Sequence, residues 1–360
     1  LVACFATPDL MAGAHDVLDA LHDALAPAHL IGCSAEAVIG AGREVERPPA
    51  IAVWAAHLPG ADVTTFHLVA DQDGEDLHIM GWPPELDPAA PPEIAAGAPL
   101  VLLADPFTFP ADVVLAHVNA AGRMPVVGGM ASGGRGPGEH RLLVGREVHA
   151  EGAVGAGLRG AGALAVVSQG CRPVGPEMVV TEGRGSVVAR LAGRPALEKL
   201  REVLADLTDD ERALAEHGLL TGLVIDENKP EYERGDFLIR GILGGDPDNG
   251  SIVVGERVRV GQTMRLQVRD AGSAGEDLHL ALSEARRRLD PAPAGGGLLF
   301  SCNGRGSHMF DEPDHDAASV TRELGPIPVV GFFCNGEIGP VGGRNFLHGF
   351  TATMALFPTS

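Results

Sequence analysis

The sequence predicts an α/β protein of mixed α+β character, in two domains, built from internally repeated β-α-β-β units whose mixed sheets are flanked by helices. Three observations predict it. Strand-like apolar runs alternate with helical periodicity at three places along the chain. The distance from an acidic helix residue to a glycine in the next apolar run is nearly constant: Asp16 precedes Gly32 by 16 residues, Asp112 precedes Gly128 by 16, and Asp316 precedes Gly331 by 15. Finally, 49 glycines and 27 prolines in 360 residues demand many tight turns.

The first repeat opens with the strand-like run Leu1 to Thr7 (LVACFAT). A helix follows from about Asp16, with Val17, Leu18, Leu21 and Leu25 on one side. It delivers the chain into LIGCS around Gly32, then a Gly-rich hairpin region and the strand AIAVWAA after Pro49. The middle repeat reads Leu100 to Asp105, then a helix from about Pro110 with Val114, Val118 and Ala121. Gly122 suits its C-terminal cap, VVGGM around Gly128 follows, and GAVGAGL after Glu151 closes the unit. The last repeat reads Leu298 to Gly304, a helix from about Asp316 with Ala317, Val320 and Leu324, and a cap at Gly325. VVGFF around Gly331 and GFTATMALF after His348 complete it.

A different stretch separates the middle and last repeats. Pro195 to Leu207 and Asp209 to His217 read as helices. Met264, Leu266 and Val268 alternate with Arg265, Gln267 and Arg269, as in a half-buried strand, and Asp246 to Gly250 is a turn cluster. The domain boundary is therefore expected near residue 192, giving domains 1–191 and 192–360. Three segments, Glu85 to Pro99, Asp226 to Gly235 and Pro291 to Gly297, are expected to be mobile.

Composition excludes several classes of function. The net charge of −21, without any Lys/Arg-rich block, argues against nucleic-acid and anionic-membrane partners. No apolar run approaches the ~20 residues of a membrane helix. The five cysteines are odd in number and lack CxxC spacing, and no signal-peptide pattern is visible. Reduced thiols and a cytoplasmic location are expected.

Two loops carry most of the candidate chemistry. Cys302-Asn303-Gly304-Arg305-Gly306-Ser307-His308 leaves a buried strand, where α/β sheets place ligands. Its glycines allow close backbone approach, and Arg305 would hold a carboxylate or phosphate in bidentate fashion. The structural alternative pairs Arg305 with Glu337. The turn Cys334-Asn335-Gly336-Glu337 follows the second strand of the same repeat, and Cys4, Cys33 and Glu36 occupy comparable places in the first. A thiolate nucleophile would need His308 or His348 as a base. Gly155, Gly157 and Gly160 match GxGxxG, but inside an apolar strand-like run they read as sheet glycines.

SCNGRG at Ser301 to Gly306, PVVGFFCNGEIGP at Pro328 to Pro340 and LHGFTATMALF at Leu347 to Phe357 resemble the FIST C-terminal domain. LIGCSAEAVIGAG from Leu30 and VVSQGCRPVG from Val166 resemble the FIST N-terminal domain. The resemblance implies an intracellular sensory module for small ligands, in a family often fused to signalling domains, with some bacterial members thought to bind haem. No fused output domain is visible, so signalling would run through a separate protein partner. The resulting expectation is a binding module for a small anionic or zwitterionic, amino-acid-like metabolite. Its contacts would come from Cys302, Asn303, Gly304, Arg305, Gly306, Cys334, Asn335, Gly336 and Glu337. A cysteine-dependent enzyme and a haem sensor are the alternatives.

Overall fold

The computed structural model describes residues 1–359 apart from 74, 75, 91–97, 123, 217, 233 and 234. Leu1–Ser168 together with Leu278–Ser360 form one compact unit, and Gln169–Asp277 form a second.

The first repeat comprises β1 (Val2–Ala6), the short α1 (Pro8–Met11), α2 (Ala14–Leu25), β2 (Leu30–Ser34), a hairpin of β3 (Val38–Gly40) and β4 (Arg43–Val45), and β5 (Ile51–Ala55). A second hairpin, β6 (Asp62–Asp73) and β7 (Asp76–Met80), leads to the middle repeat. That repeat comprises β8 (Leu100–Ala104), α3 (Ala111–Ala121), β9 (Val126–Met130), the hairpin β10 (Leu142–Val144) and β11 (Glu147–His149), and β12 (Ala153–Arg159). β13 (Leu164–Gln169) then leads to the second compact unit.

That unit contains β14 (Cys171–Arg184), β15 (Val187–Leu191), β16 (Arg194–Pro195), α4 (Ala196–Asp206), α5 (Asp209–Glu216), β17 (Leu219–Val224), β18 (Phe237–Asp246), β19 (Ser251–Val254) and β20 (Thr263–Arg269). Its sheet runs β14-β20-β17-β18-β19-β15-β16 and closes on itself through β14–β15 pairing. Alternate residues of β20 (Met264, Leu266 and Val268) point into its core, beside Leu200 and Val203 of α4. The helix α6 (Ala271–Leu289) carries the chain back to the last repeat: β21 (Ala294–Cys302), α7 (His315–Leu324), β22 (Val329–Cys334), the hairpin β23 (Glu337–Val341) and β24 (Arg344–His348), and β25 (Thr351–Pro358).

All three repeats share one pairing scheme. The first and second strands run parallel, and the third strand pairs antiparallel with the first. The strand glycines stand opposite equivalent residues: Gly32 against Cys4, Gly128 against Leu102, and Gly331 against Leu299. A Cβ on these glycines would lie 2.2, 1.9 and 1.7 Å from the carbonyl oxygens of those partners. No larger residue fits so close to a neighbouring strand, which is why the glycine recurs.

Each hairpin leaves its own sheet for the next one. β3 and β4 extend the sheet of the last repeat, β10 and β11 that of the first, and β23 and β24 that of the middle. The exchange is cyclic and closed, so the three repeats form a ring with approximate threefold symmetry. Their inner faces share one core, where the Phe5 ring lies 4.7 Å from Phe332 and 6.3 Å from Phe300. The outer faces are covered by α2 in the first repeat, α3 in the middle, and α6 with α7 in the last. Burial of both faces explains why these strands read as continuous apolar runs.

The boundary expected near 192 falls in the β15–β16 turn, where Arg190 pairs with Pro195, while the compact units divide at 168/169 and 277/278. Other expectations change. Asp16 and Asp112 are exposed while Asp316 is buried, so the constant Asp–Gly spacing reflects helix length and not a shared role. Part of the segment expected to be mobile at Pro291 to Gly297 is ordered, because β21 begins at Ala294. Within Glu85 to Pro99 and Asp226 to Gly235, residues 91–97, 233 and 234 lie outside the described residues. Gly155 and Gly157 sit inside β12, as sheet glycines.

Candidate functional site

The carboxyl ends of the second strands meet around the axis of the ring. Four residues beyond each strand glycine stand Glu36, Ser132 and Asn335. The Ser132 N–H donates to the Ser34 carbonyl at 3.2 Å, and the Asn335 N–H to the Met130 carbonyl at 3.1 Å. The third junction is different. The Glu36 N–H donates to Ser132 Oγ at 2.8 Å, and that hydroxyl donates to the Phe333 carbonyl at 2.5 Å. A serine side chain thus bridges the third junction.

Above this ring lies a cleft of about 550 Å³ lined by all three positions. Pro8 and Asn303, four residues beyond Cys4 and Leu299, add to its wall, as do Asp9, Glu46 and Pro48. The rest comes from Gly133, Gly134 and Arg135. These belong to an insertion. Three residues separate Glu36 from Ile39 and Asn335 from Ile338, whereas eleven separate Ser132 from the equivalent Leu143, an excess of eight. Carboxylates (Asp9, Glu36, Glu46), amides, a hydroxyl and the Arg135 guanidinium therefore face one space. Glu46 is anchored there by the Ser307 N–H at 2.9 Å and its hydroxyl at 2.5 Å.

Of the nine residues expected to hold a ligand, Asn303 and Asn335 line this cleft. Asn303 Oδ1 is buried without a hydrogen-bond partner among the described residues. Arg305 is not an exposed turn residue. It is completely buried, its Nε and Nη2 donate to Asp316 Oδ2 and Oδ1 at 2.8 and 2.7 Å, and it stacks over Phe310 at 5.2 Å. Its ion partner is Asp316, not Glu337. Burial opposes ionisation of Asp316, but Arg305, His315 and Ser301 outweigh it and hold the carboxyl well below its usual range.

Glu337 is equally buried, with Oε2 accepting from the Thr351 N–H (3.1 Å) and hydroxyl (2.7 Å). Burial pushes it up to about 8, which favours the protonated form near neutral pH. Cys334 is buried and Cys302 half-buried, and burial pushes Cys302 up to about 12 and Cys334 well above its ordinary value. Neither supplies a thiolate near neutral pH. Gly304 and Gly336 are half-buried turn residues. Gly306 is left-handed at φ 58°, packed so closely that a Cβ would meet Glu46 Oε1 at 2.8 Å. Cys302, Arg305, Cys334 and Glu337 thus do cluster, but below the cleft surface and not as its lining.

Among the secondary candidates, Glu36 lines the cleft. Cys4 stands opposite Gly32, three positions short of the place Cys302 takes against Cys334, so Cys4 and Cys33 are core residues. His308 is exposed at the end of a 3₁₀ turn, and His348 is buried with Nε2 bonded to the Gly339 carbonyl at 3.0 Å.

Sequence reasoning missed Ser132, Gly133, Gly134, Arg135, Glu46, Asp105, His140 and Asp316. Alignment of the repeats on their glycines would have exposed the inserted GGRGPGEH at Gly133 to His140. Haem does not fit this cleft. The lining offers no imidazole, thiol or thioether to an iron.

The structure therefore defines a repeat-built α+β protein with a polar cleft at the carboxyl ends of its parallel strands. Residues 1–194 match the FIST N domain and residues 196–340 the FIST C domain. The chain belongs to the FIST family, whose domains are small-ligand sensory domains of signal transduction. The junction of the two matches lies near the boundary expected at 192, inside the second compact unit. The chain is 47% identical to the uncharacterized protein Rv0628c of Mycobacterium tuberculosis over 345 residues, covering 95% of this chain and 87% of the relative. It is 46% identical to the uncharacterized protein Mb0898c of Mycobacterium bovis over 347 residues, covering 96% and 86%. Among the described residues no helix is long and apolar enough to cross a membrane.

Proposed function

We propose that the axial cleft binds a small zwitterionic, amino-acid-like metabolite and that a separate signalling protein reads the bound state. The observation that carries this reading is the convergence of Glu36, Ser132 and Asn335, one from each repeat, on a single polar cleft. Its volume of about 550 Å³ lies within the ordinary range for small-molecule sites, roughly 300–1,000 Å³. The charges favour a zwitterion over a simple anion. Asp9, Glu36 and Glu46 outnumber Arg135, so a dicarboxylate is repelled, while an ammonium group finds acceptors and a carboxylate finds one guanidinium. The anion-holding role expected of Arg305 passes to Arg135, because Arg305 is completely buried and Asp316 takes the Nε–Nη2 edge of its guanidinium.

Calorimetric titration with the twenty common L-amino acids tests this, with succinate and putrescine as charge controls. At least one amino acid is expected to bind, succinate is not, and Glu36→Gln and Arg135→Gln should each weaken binding about tenfold. A wild-type protein that binds none of the amino acids, or affinity indifferent to both substitutions, refutes the reading.

A further inference from the structure

Asp105 and His140 form a buried pair that the binding reading leaves unused. Both side chains are inaccessible to solvent, with Nδ1 of His140 2.8 Å from Asp105 Oδ2. His140 is the last residue of the inserted segment, and its other nitrogen turns back on that segment. The Gly134 N–H lies 3.1 Å from His140 Nε2. A backbone N–H can only donate, so Nε2 must accept. The ring proton therefore sits on Nδ1 and is donated to Asp105. Burial pushes Asp105 up, but the hydrogen bonds from His140, the Phe107 N–H and Thr108 outweigh it and keep the carboxyl low. The ionised carboxylate selects the tautomer, and the tautomer selects the position of Gly134.

We infer that Asp105 and His140 are positioning residues, a latch that holds the inserted loop so that Arg135 faces the cleft. The inference rests on the reading of that cleft as the ligand site. The other two repeats join the same strands with no insertion and carry Thr7 and Cys302 where the middle repeat has Asp105. Latch and loop thus occur together, in one repeat of three. Arg135 follows Gly134 directly, and its own N–H is tied to Glu139 Oε2 at 2.7 Å inside the loop. Its guanidinium makes no ion pair among the described residues, which leaves it available to a ligand carboxylate.

Asp105→Asn tests the latch with little change of volume. Asp105 Oδ1 accepts from the Phe107 N–H (2.9 Å), the Thr108 N–H (2.8 Å) and the Thr108 hydroxyl (3.0 Å). In the variant the amide oxygen must stay on that side, so its NH₂ meets His140 Nδ1. The imidazole then carries its proton on Nε2, pointed at the Gly134 N–H. In ligand-free protein, ¹⁵N NMR should show the His140 proton moving from Nδ1 to Nε2. Amide exchange of residues 133–136, 138 and 139 should accelerate at least tenfold, and the affinity for the L-amino acids should fall as far as it does in Arg135→Gln. An unchanged tautomer with unchanged Gly134 exchange overturns the latch, and so does a released loop with unchanged affinity. If Asp105→Asn does not fold, deletion of Gly133–His140 combined with Asp105→Thr closes the middle repeat as the first is closed. This second variant should fold and lose amino-acid affinity about tenfold, and retained affinity overturns the inference. A wild type that binds none of the amino acids sinks the cleft reading instead, and the latch is then judged by tautomer and exchange.

Discussion

Three positions beyond the residue that faces the strand glycine, the middle repeat places Asp105 and the last repeat places Cys302. Asp105 takes its partner, His140, from an insertion that reaches the cleft. In the last repeat the charge is carried instead by Arg305, which takes its partner, Asp316, from the first turn of α7. The first repeat fills the position with Thr7, whose hydroxyl bonds to the backbone of Ala50. The backbone scheme is therefore common to all three repeats, while the polar group that plugs each strand end is not. Strand pairing constrains the main chain and the glycine beneath it. The plug need only be satisfied by whatever the local loop supplies.

The difference has consequences that can be measured. The last repeat buries an ion pair, so Arg305→Ala leaves the Asp316 carboxylate buried without its guanidinium, with Ser301 and His315 beside it. The expected loss is about 3–5 kcal/mol in urea unfolding, with cleft residues untouched. A stable Arg305→Ala protein that has lost amino-acid binding would break the comparison and return the ligand role to Arg305.

Next in size is a pH effect in which Glu337 of the last repeat acts together with Glu44 of β4, which burial pushes up to about 7. Glu337 is raised to about 8 from an ordinary value of 4.5, so the folded state holds its proton where the unfolded state has released it. Its contribution to stability is fully present below about pH 4.5, falls as pH rises, and is gone above about 8. Glu337→Gln should remove the Glu337 share of this slope, on the order of 3 kcal/mol between pH 5 and 8, and leave the smaller Glu44 share. An identical slope in the variant would assign it to another group. Asp316 and Asp105 carry the opposite sign. Both are held low, so their contributions are present above their ordinary range and lost in acid.

The smallest effect concerns the junction at which the ring departs from its symmetry. Ser132→Ala removes the hydroxyl between the Glu36 N–H and the Phe333 carbonyl. A loss of about 1–2 kcal/mol is expected, with faster amide exchange at Glu36 but not at Ser132 or Asn335. Equal acceleration at all three would show that the junctions are not independent.

Much of the fold was legible in the chain because its signals are local. The apolar runs, the helix faces of Leu18 with Leu21, Val114 with Val118 and Ala317 with Val320, and the strand glycines each depend on near neighbours. The candidate site was legible only in part. Glu36, Asn303 and Asn335 reach the cleft because they follow strand ends, which periodicity locates. Arg305 pairs with neither a ligand nor Glu337 but with Asp316, because nothing within its Gly-Arg-Gly loop announces a buried aspartate eleven residues on.

The sequence by itself determined the repeat, its β-α-β-β grammar, the helices and strands that compose it and the glycines that let parallel strands approach. These follow from hydrophobic period and backbone sterics, which act over a few residues. Only the tertiary structure decided that each hairpin joins another repeat's sheet, that the second compact unit begins at Gln169, and that three strand ends share one cleft. It also decided which charges are partners: Arg305 with Asp316, and Asp105 with His140. The physical reason is that an edge strand will accept any neighbour offering the right register, and a buried charge any neighbour of the right sign. Which neighbour arrives is settled by packing of the whole ring around Phe5, Phe300 and Phe332.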